Sequence, residues 1–401
     1  MKTIALIGAL DTKGLEYAFV KNQIEQRGHR VFVIDTSVIG EPTVAPDVSA
    51  AKVAQAGGAT LKELRDAADR THAMQVMTRG IAKLARELYD AKKFDAVLAL
   101  GGGNGTVIAT SAMRALPLGV PKVMVSTLAA GDVKAYVGTS DIVMLHSVVD
   151  VAGVNRISAK IYANAVGAVI GMAETEPPMI QAKPMIAASM FGNTTPAVTR
   201  ARETFEKNGY EVLVFHATGT GGATMEQLIR DGFFQGVFDI TTTEWADELV
   251  GGVLAAGATR LDAASESNVP QVIAPGCLDM VNFWARSTVP EKYSARQFYE
   301  WNPNITLMRT TVEENKQLGK ILAEKANKSS APVAFFLPLR GVSQLDAPGK
   351  EFWKPEADRA LYDAIKQNVR ADIPVYELDS NINDDAFVDA MTDELLQMLN
   401  K

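Results

Sequence analysis

Short, continuously apolar runs alternate along the chain with longer stretches whose apolar residues recur at helical spacing, a pattern that predicts successive β-α-β units. In the first half, Thr3 to Ile7 reads as a strand ending at Gly8. Leu15, Phe19 and Ile24 mark an amphipathic helix closed by Arg27-Gly28-His29, and Val31 to Ile34 forms a second strand ending at Asp35. The second half repeats the plan. Met185 to Met190 is a strand ending at Phe191-Gly192-Asn193, a helix runs through Val198, Arg202 and Phe205 to Asn208-Gly209-Tyr210, and Val212 to Phe215 is the next strand. Further on, Phe94 to Leu100 leads through a glycine turn and a helix to Val120 to Ser126, as Phe238-Asp239-Ile240 leads through a helix to Val269 to Pro275. Strands apolar throughout require helices on both faces of a parallel sheet. Glu174-Thr175-Glu176-Pro177-Pro178 interrupts a helical pattern, because prolines remove amide donors and extend the residues before them. The expectation is α/β, with two doubly wound parallel-sheet domains, 1–178 and 184–401, facing a cleft. Gene duplication is one origin for the shared plan, and the pattern common to unrelated α/β proteins is another.

Two glycine-rich turns stand between an apolar strand and a helical stretch: Gly101-Gly102-Gly103-Asn104-Gly105-Thr106, and His216-Ala217-Thr218-Gly219-Thr220-Gly221-Gly222. Glycines let bare N–H groups approach a ligand, and a following helix adds partial positive charge, so both turns are candidate anion sites. Neither completes a P-loop or GxGxxG: the last position holds Thr106 in the first turn and Thr224 in the second. Glycines of purely structural use at tight βα turns are the competing reading. The first turn gains support from Asp11-Thr12-Lys13-Gly14, which follows the first strand and belongs to the same sheet edge. Lys13 suits phosphate oxygens, Thr12 can donate a hydrogen bond, and Asp11 can hold Mg²⁺ directly or through water. Capping of the next helix by Asp11 or Thr12 explains the same residue types equally well.

The chain has 401 residues, with 47% hydrophobic and 22% charged, the composition of a globular protein with a large core. A prior of ~150 residues per domain gives two or three domains. The formal net charge is −7, with no Lys/Arg run, which argues against nucleic-acid or membrane-surface partners. The single cysteine, Cys277, cannot form an internal disulfide, and the start reads as a strand rather than a signal peptide, so a cytoplasmic location is expected. Ile161 to Met172 is too short to span a membrane. Within Val148 to Met172, Val154, Ile157, Ile161, Ala165 and Val169 recur at helical spacing beside the small residues Ala163, Gly167, Ala168 and Gly171. That segment suits a subunit or domain interface, or the first domain's own core.

In the second half His216 stands at a strand's carboxyl end, where an imidazole can serve as general acid or base. Thr218, Gly219, Thr220, Gly221 and Gly222 follow it as candidate substrate contacts. The loop after Val333 to Leu337 carries Arg340, Ser343 and Asp346, which could clamp a carboxylate, phosphate or sugar. Glu244, after Thr241-Thr242-Thr243, is either a further polar contact or a helix cap. His29 and His72 read as solvated and His146 as a core residue; no histidine pair has metal-ligand spacing. Cys277, with no histidine near it in sequence, reads as a small buried hydrophobe.

Gly8-Ala9-Leu10-Asp11-Thr12-Lys13-Gly14, the Gly101 to Thr106 turn, Val125-Ser126-Thr127 with Gly131-Asp132-Val133, the His216 to Gly222 turn and Leu307-Met308-Arg309-Thr310-Thr311 together resemble one family. It is the uncharacterised family related to the ATP-binding N-terminal region of the tomato mosaic virus resistance protein. The resemblance covers the whole chain in order. It implies two Rossmann-like domains, ATP with Mg²⁺ in the first, and self-association as a homo-oligomer. Mapped onto this chain, the cofactor contacts would be Gly8, Asp11, Thr12, Lys13, Gly14, the Gly101 to Thr106 turn, Ser126 and Thr127. The resemblance does not extend to the plant relative's further barrel-like domain, and the family lends no settled reaction. The functional expectation is an ATP-using enzyme acting on a small polar metabolite through His216 and Arg340, or a nucleotide-binding regulatory module without turnover.

Overall fold

A computed structural model describes residues 1–400. The chain divides into two compact units, Met1–Met179 and Ile180–Lys401. In the first, strands β1 (Thr3–Gly8), β2 (Arg30–Asp35), β3 (Ala96–Gly101), β4 (Lys122–Ser126) and β5 (Val143–His146) form one parallel sheet in the order β2-β1-β3-β4-β5. Its helices are α1 (Leu10–Glu25), α2 (Ala50–Ala56), α3 (Leu61–Ala67), α4 (Arg70–Asp90), α5 (Gly103–Arg114), α6 (Lys134–Val137) and α7 (Ser158–Glu174). The period-two alternation of a strand is visible in the core. Ala5, Ile7, Val97 and Ala99 pack with α2, α4 and α5, while Ile4, Leu6, Ala96 and Leu98 pack with α1 and α7. Burial on both faces is why these strands carry no polar alternation.

The second unit holds β6 (Met185–Met190), β7 (Glu211–His216), β8 (Gly236–Thr241), β9 (Gln271–Gly276), β10 (Met280–Phe283), β11 (Phe298–Asn302), β12 (Ile305–Arg309), β13 (Val333–Pro338) and β14 (Val375–Leu378). Six of them make a parallel sheet in the order β14-β13-β9-β8-β6-β7. The other three form an antiparallel sheet, β10-β12-β11, that the sequence reading did not anticipate. The helices are α8 (Thr195–Lys207), α9 (Thr220–Arg230), α10 (Glu244–Val250), α11 (Ala263–Glu266), α12 (Val312–Ala326), α13 (Pro355–Asn368) and α14 (Asp385–Leu399). Both units are therefore doubly wound α/β structures, as the apolar strands and helical spacing predict. In each, the strand order reverses beside the first strand, at β1/β3 and at β6/β8, and such reversals open a crevice at the strands' carboxyl ends.

In α7, Ala165 and Val169 enter the first unit's core against α1, whereas Val154 and Ile157 precede the helix and are exposed. Gly167 and Gly171 lie on its exposed face. Two histidines depart from expectation. His29 is 8% exposed, its Nε2 lying 3.3 Å from a Glu174 carboxylate oxygen, so the helix-to-strand turn folds it inward. His146, ending the edge strand β5, is exposed rather than in the core. No helix among the described residues is long and apolar enough to cross a membrane.

Candidate functional site

At the β1/β3 reversal the Tyr17 hydroxyl joins the two strands, donating to the Ile7 carbonyl (2.5 Å) and accepting from the Leu100 N–H (2.9 Å). Burial pushes its pKa up. Gly8 is required by that ring, since a Cβ there would lie 2.1 Å from it. Gly14 answers to Thr43 in the same way, at 1.6 Å. Both glycines thus have an internal steric role, distinct from the ligand contact the resemblance implies. Between them α1 is kinked at Lys13 (φ −121°, ψ 16°), whose ammonium donates to the Val151 carbonyl in the loop after β5. Thr12 is exposed. Asp11 accepts from the Gly40 N–H at 3.0 Å through Oδ2, while its buried Oδ1 has no partner among the described residues.

The first glycine turn follows β3 and opens α5, which has no side-chain cap. Its first N–H groups are the ones a helix cannot satisfy internally. Gly101 is needed for the turn, because a Cβ would sit 2.9 Å from the Gly105 Cα. Gly102 and Gly105 have nothing nearer than 3.7 Å to such a Cβ, and Gly103 faces open space. Thr106 and Ser126 are buried and bonded to each other at 2.7 Å, tying α5 to β4 rather than presenting hydroxyls outward. Thr127 donates its N–H to the Gly101 carbonyl at 3.3 Å. Arg70, at the start of α4, was not singled out in the sequence. With the Asn104 amide oxygen turned toward it, its Nε and Nη2 donate at 3.2 and 2.7 Å, an orientation set by the hydrogen-bond network. Nothing in the spacing of Arg70 marks it; only the packing of α4 against α5 brings it to the turn.

The second turn is a different object. The Glu244 carboxylate accepts from the N–H groups of Gly219 (2.7 Å) and Gly222 (3.1 Å), so the protein's own anion holds the start of α9. The glycines make room for this arrangement. A Cβ on Gly222 would meet Glu244 Oε2 at 2.0 Å, on Gly221 the His216 carbonyl at 1.8 Å, and on Gly219, where φ is +82°, the Ala255 carbonyl at 2.7 Å. Fully buried Arg260 bonds Glu244 (2.8 Å), Asp239 (2.5 and 2.6 Å) and Glu226 (3.3 Å). Desolvation raises the pKa of Glu226 and Glu244 despite that guanidinium. Thr218 donates to the His216 carbonyl at 3.2 Å, and Thr220 is exposed at the helix start. His216 stacks on Phe191 with ring centroids 5.5 Å apart, and partial burial lowers its pKa, favouring the neutral base.

The long loop after β13 splits in two. Arg340 is exposed and pairs with exposed Asp379 at 2.9 Å. Ser343 and Asp346 are fully buried instead of forming a clamp with it. Ser343 donates to Asp279 (2.8 Å) and accepts from the Leu345 and Asp346 N–H groups, while Asp346 accepts from Val342 N–H at 3.1 Å. Arg309 lies between Asp358 (2.8 Å) and Asp346 (3.6 Å). Desolvation first, then neighbouring carboxylates, push Asp279 up to about 7 and Asp358 up to about 8. Cys277 is wholly buried and its thiol pushed up by burial, which fits the small-hydrophobe reading. No group of three or more His, Cys, Asp or Glu among the described residues has metal-holding geometry.

Comparison with known proteins bears on the whole chain. Models of the N-terminal and C-terminal domains of the uncharacterised protein family UPF0261 match residues 2–178 and 183–399. The chain belongs to this family. A UPF0261 protein of Clostridium tetani is 49% identical over 402 residues, covering 100% of each chain. The ToMV resistance protein Tm-1(GCR237) of Solanum lycopersicum is 44% identical over 339 residues, 82% of this chain and 45% of that protein. This chain thus aligns with less than half of the tomato protein's length. Among solved structures, a putative UDP-N-acetylglucosamine 2-epimerase from Listeria monocytogenes overlaps 68% of this chain and 78% of its own at 12% identity. With a TM-score of 0.25, that overlap carries no argument about activity.

Proposed function

We propose that the first unit binds ATP with Mg²⁺ at the carboxyl edge of its sheet, and that the protein uses the nucleotide in a reaction on a small polar metabolite. The observation carrying this reading is the uncapped start of α5 with open space over Gly103; on the same sheet edge, after the neighbouring strand β1, a buried Asp11 oxygen lacks a partner among the described residues. Backbone N–H groups of Gly103, Asn104 and Gly105 would receive phosphate oxygens. Lys13 would turn from the Val151 carbonyl to the phosphates, and Arg70 stands ready beside Asn104. Asp11 Oδ1 fits Mg²⁺, which is commonly held by one or two carboxylates plus substrate phosphates. Bound Mg²⁺ would draw charge from the phosphate oxygens.

In the second unit, exposed His216 is the group we assign to the co-substrate, as the neutral base. Arg340 follows β13, with β9, β8 and β6 between it and β7, about 19 Å away at the ordinary strand spacing, and it pairs with Asp379, so it does not share that contact. Glu244, Ser343 and Asp346 are engaged internally and drop out of that role. Their withdrawal favours a second reading, a nucleotide-binding module without turnover. Phosphate or ADP release from Mg-ATP with pooled metabolites, assayed beside His216→Ala and Arg340→Ala, separates the two. The enzyme reading predicts metabolite-dependent turnover that falls at least ~10²-fold in His216→Ala with unchanged ATP affinity, while Arg340→Ala, remote from it across the sheet, leaves turnover unchanged. Turnover undiminished in His216→Ala would remove this residue from the reaction, and no turnover with any pool would favour the module.

A further inference from the structure

The second sheet has its own strand-order reversal, between β6 and β8. The loops leaving β6, β8, β9 and β14 carry side-chain atoms that are buried yet have no hydrogen-bond partner among the described residues, on Asn193, Thr243, Asp279 and half-buried Asn383. Thr241, Thr242 and Thr243 are all fully buried. Two of them are satisfied: Thr241 shares a hydrogen bond with Thr194 at 2.8 Å, and Thr242 donates to the Ala274 carbonyl at 3.2 Å. The Thr243 hydroxyl has no partner among the described residues. Asn193, 1% exposed, turns its amide nitrogen toward the Met280 sulfur at 3.8 Å and leaves Oδ1 unbonded. Asn383 donates from Nδ2 to the Asn193 carbonyl at 3.0 Å, and its Oδ1 is likewise unbonded. Asp279, fully buried next to Met280, receives Ser343 on one oxygen and nothing on the other.

Buried polar groups are nearly always hydrogen-bonded, so an exception asks for a cause. Here four exceptions lie on loops at the sheet edge where open α/β sheets bind ligands: Asn383 donates to Asn193, Asn193 faces Met280 next to Asp279, and Thr243 follows Thr241, which bonds Thr194 next to Asn193. Beside them Gly192 is exposed, with nothing within 4 Å of a built Cβ.

We propose that this edge of the second unit binds a small polyhydroxylated molecule through Asn193, Thr243, Asp279 and Asn383. Three of the free atoms are carbonyl or carboxylate oxygens, which can only accept while the carboxyl is ionised, and the fourth is a hydroxyl that can do either. Ligand hydroxyls satisfy both kinds. The neutral Asn and Thr groups that supply three of the four positions favour hydroxyls over an ammonium. This site stands apart from the nucleotide reading, since every residue in it belongs to the second unit.

The test uses the full chain with D-ribose, D-glucose, myo-inositol and glycerol as probes, followed by NMR titration and by thermal shift. At least one probe should bind and raise Tm. Thr243→Val, which removes only the hydroxyl, should weaken that binding roughly tenfold, the equivalent of one lost hydrogen bond, and raise the ligand-free Tm by deleting an unsatisfied group. Asn193→Leu should act in the same direction on binding; should it fail to fold, Thr243→Val carries the test alone. ATP affinity should be unchanged in Thr243→Val, which keeps failure here distinct from failure of the nucleotide site. The proposal is overturned if no probe binds, or if Thr243→Val binds the probes as tightly as the parent protein.

Discussion

Replacing Gly103 by valine separates ligand contact from folding more cleanly than any other change at the first glycine turn. A Cβ at this position meets no atom within 4 Å, so the added branch has no internal clash. Gly103 is the first residue of α5, and valine is a better helix former than glycine by a few tenths of a kcal/mol. The fold should therefore keep its Tm within about 2 °C. A phosphate cradled on the N–H groups behind Gly103 would be displaced by the isopropyl group. Losing one or two charge-assisted hydrogen bonds, each worth about 1.5–3 kcal/mol, should weaken ATP at least ~10²-fold when both go. Gly101→Ala is the contrasting control. Its Cβ would press on the Gly105 Cα at 2.9 Å, so it should destabilise the turn itself. Titration calorimetry with Mg-ATP, alongside thermal melts, reads both effects. A folded Gly103→Val protein with unchanged ATP affinity would refute the placement of phosphate on this turn.

Three further outcomes follow from the buried groups. Arg260→Met leaves Asp239, Glu244 and Glu226 without their shared cation, and urea denaturation should show a loss of about 3–5 kcal/mol; a loss below ~1 kcal/mol would contradict the linking role. Tyr17→Phe strands the buried Leu100 N–H and should cost about 1–3 kcal/mol in the same assay, with a neutral result counting against the β1–β3 link. Asp279 and Asp358 are raised from 3.8 to about 7 and about 8, so the folded chain binds more protons than the unfolded one across that interval. The stability they contribute is complete below about pH 4 and is lost as pH rises through about 7 to 8. Asp358→Asn should therefore flatten the fall of Tm between about pH 6 and pH 8.5, and parallel slopes for parent and variant would contradict this.

The parallel strands were legible because both of their faces are buried, which leaves continuous apolar runs such as Ala96 to Leu100. The glycine turns were legible as turns. What each turn holds was not, because the groups that decide it are remote in sequence. Glu244 fills the second turn from 22 residues away, and Arg70 reaches the first from the start of another helix. Buried arginines such as Arg260 and Arg309 look, in sequence, like surface ones. Their carboxylate partners share no period or spacing with them, so only the fold brings Asp358 to Arg309 across 49 positions. The same holds for Asn193 and Asn383, joined across 190 positions. The antiparallel sheet β10-β12-β11 was missed because its strands interrupt the β-α-β rhythm that organised the rest of the reading. His29 and His146 went wrong for a related reason: turn position and strand apolarity do not reveal which edge a later helix covers.

A crystal of the full chain grown with Mg²⁺ and a non-hydrolysable ATP analogue would show whether a nucleotide's phosphates rest on the start of α5. Phosphate oxygens should lie about 3 Å from the N–H groups of Gly103 to Gly105, with Lys13 turned toward them and Asp11 facing the metal. Analogue ordered at any other edge of either sheet, with the Gly101 to Thr106 turn unliganded, would contradict that placement.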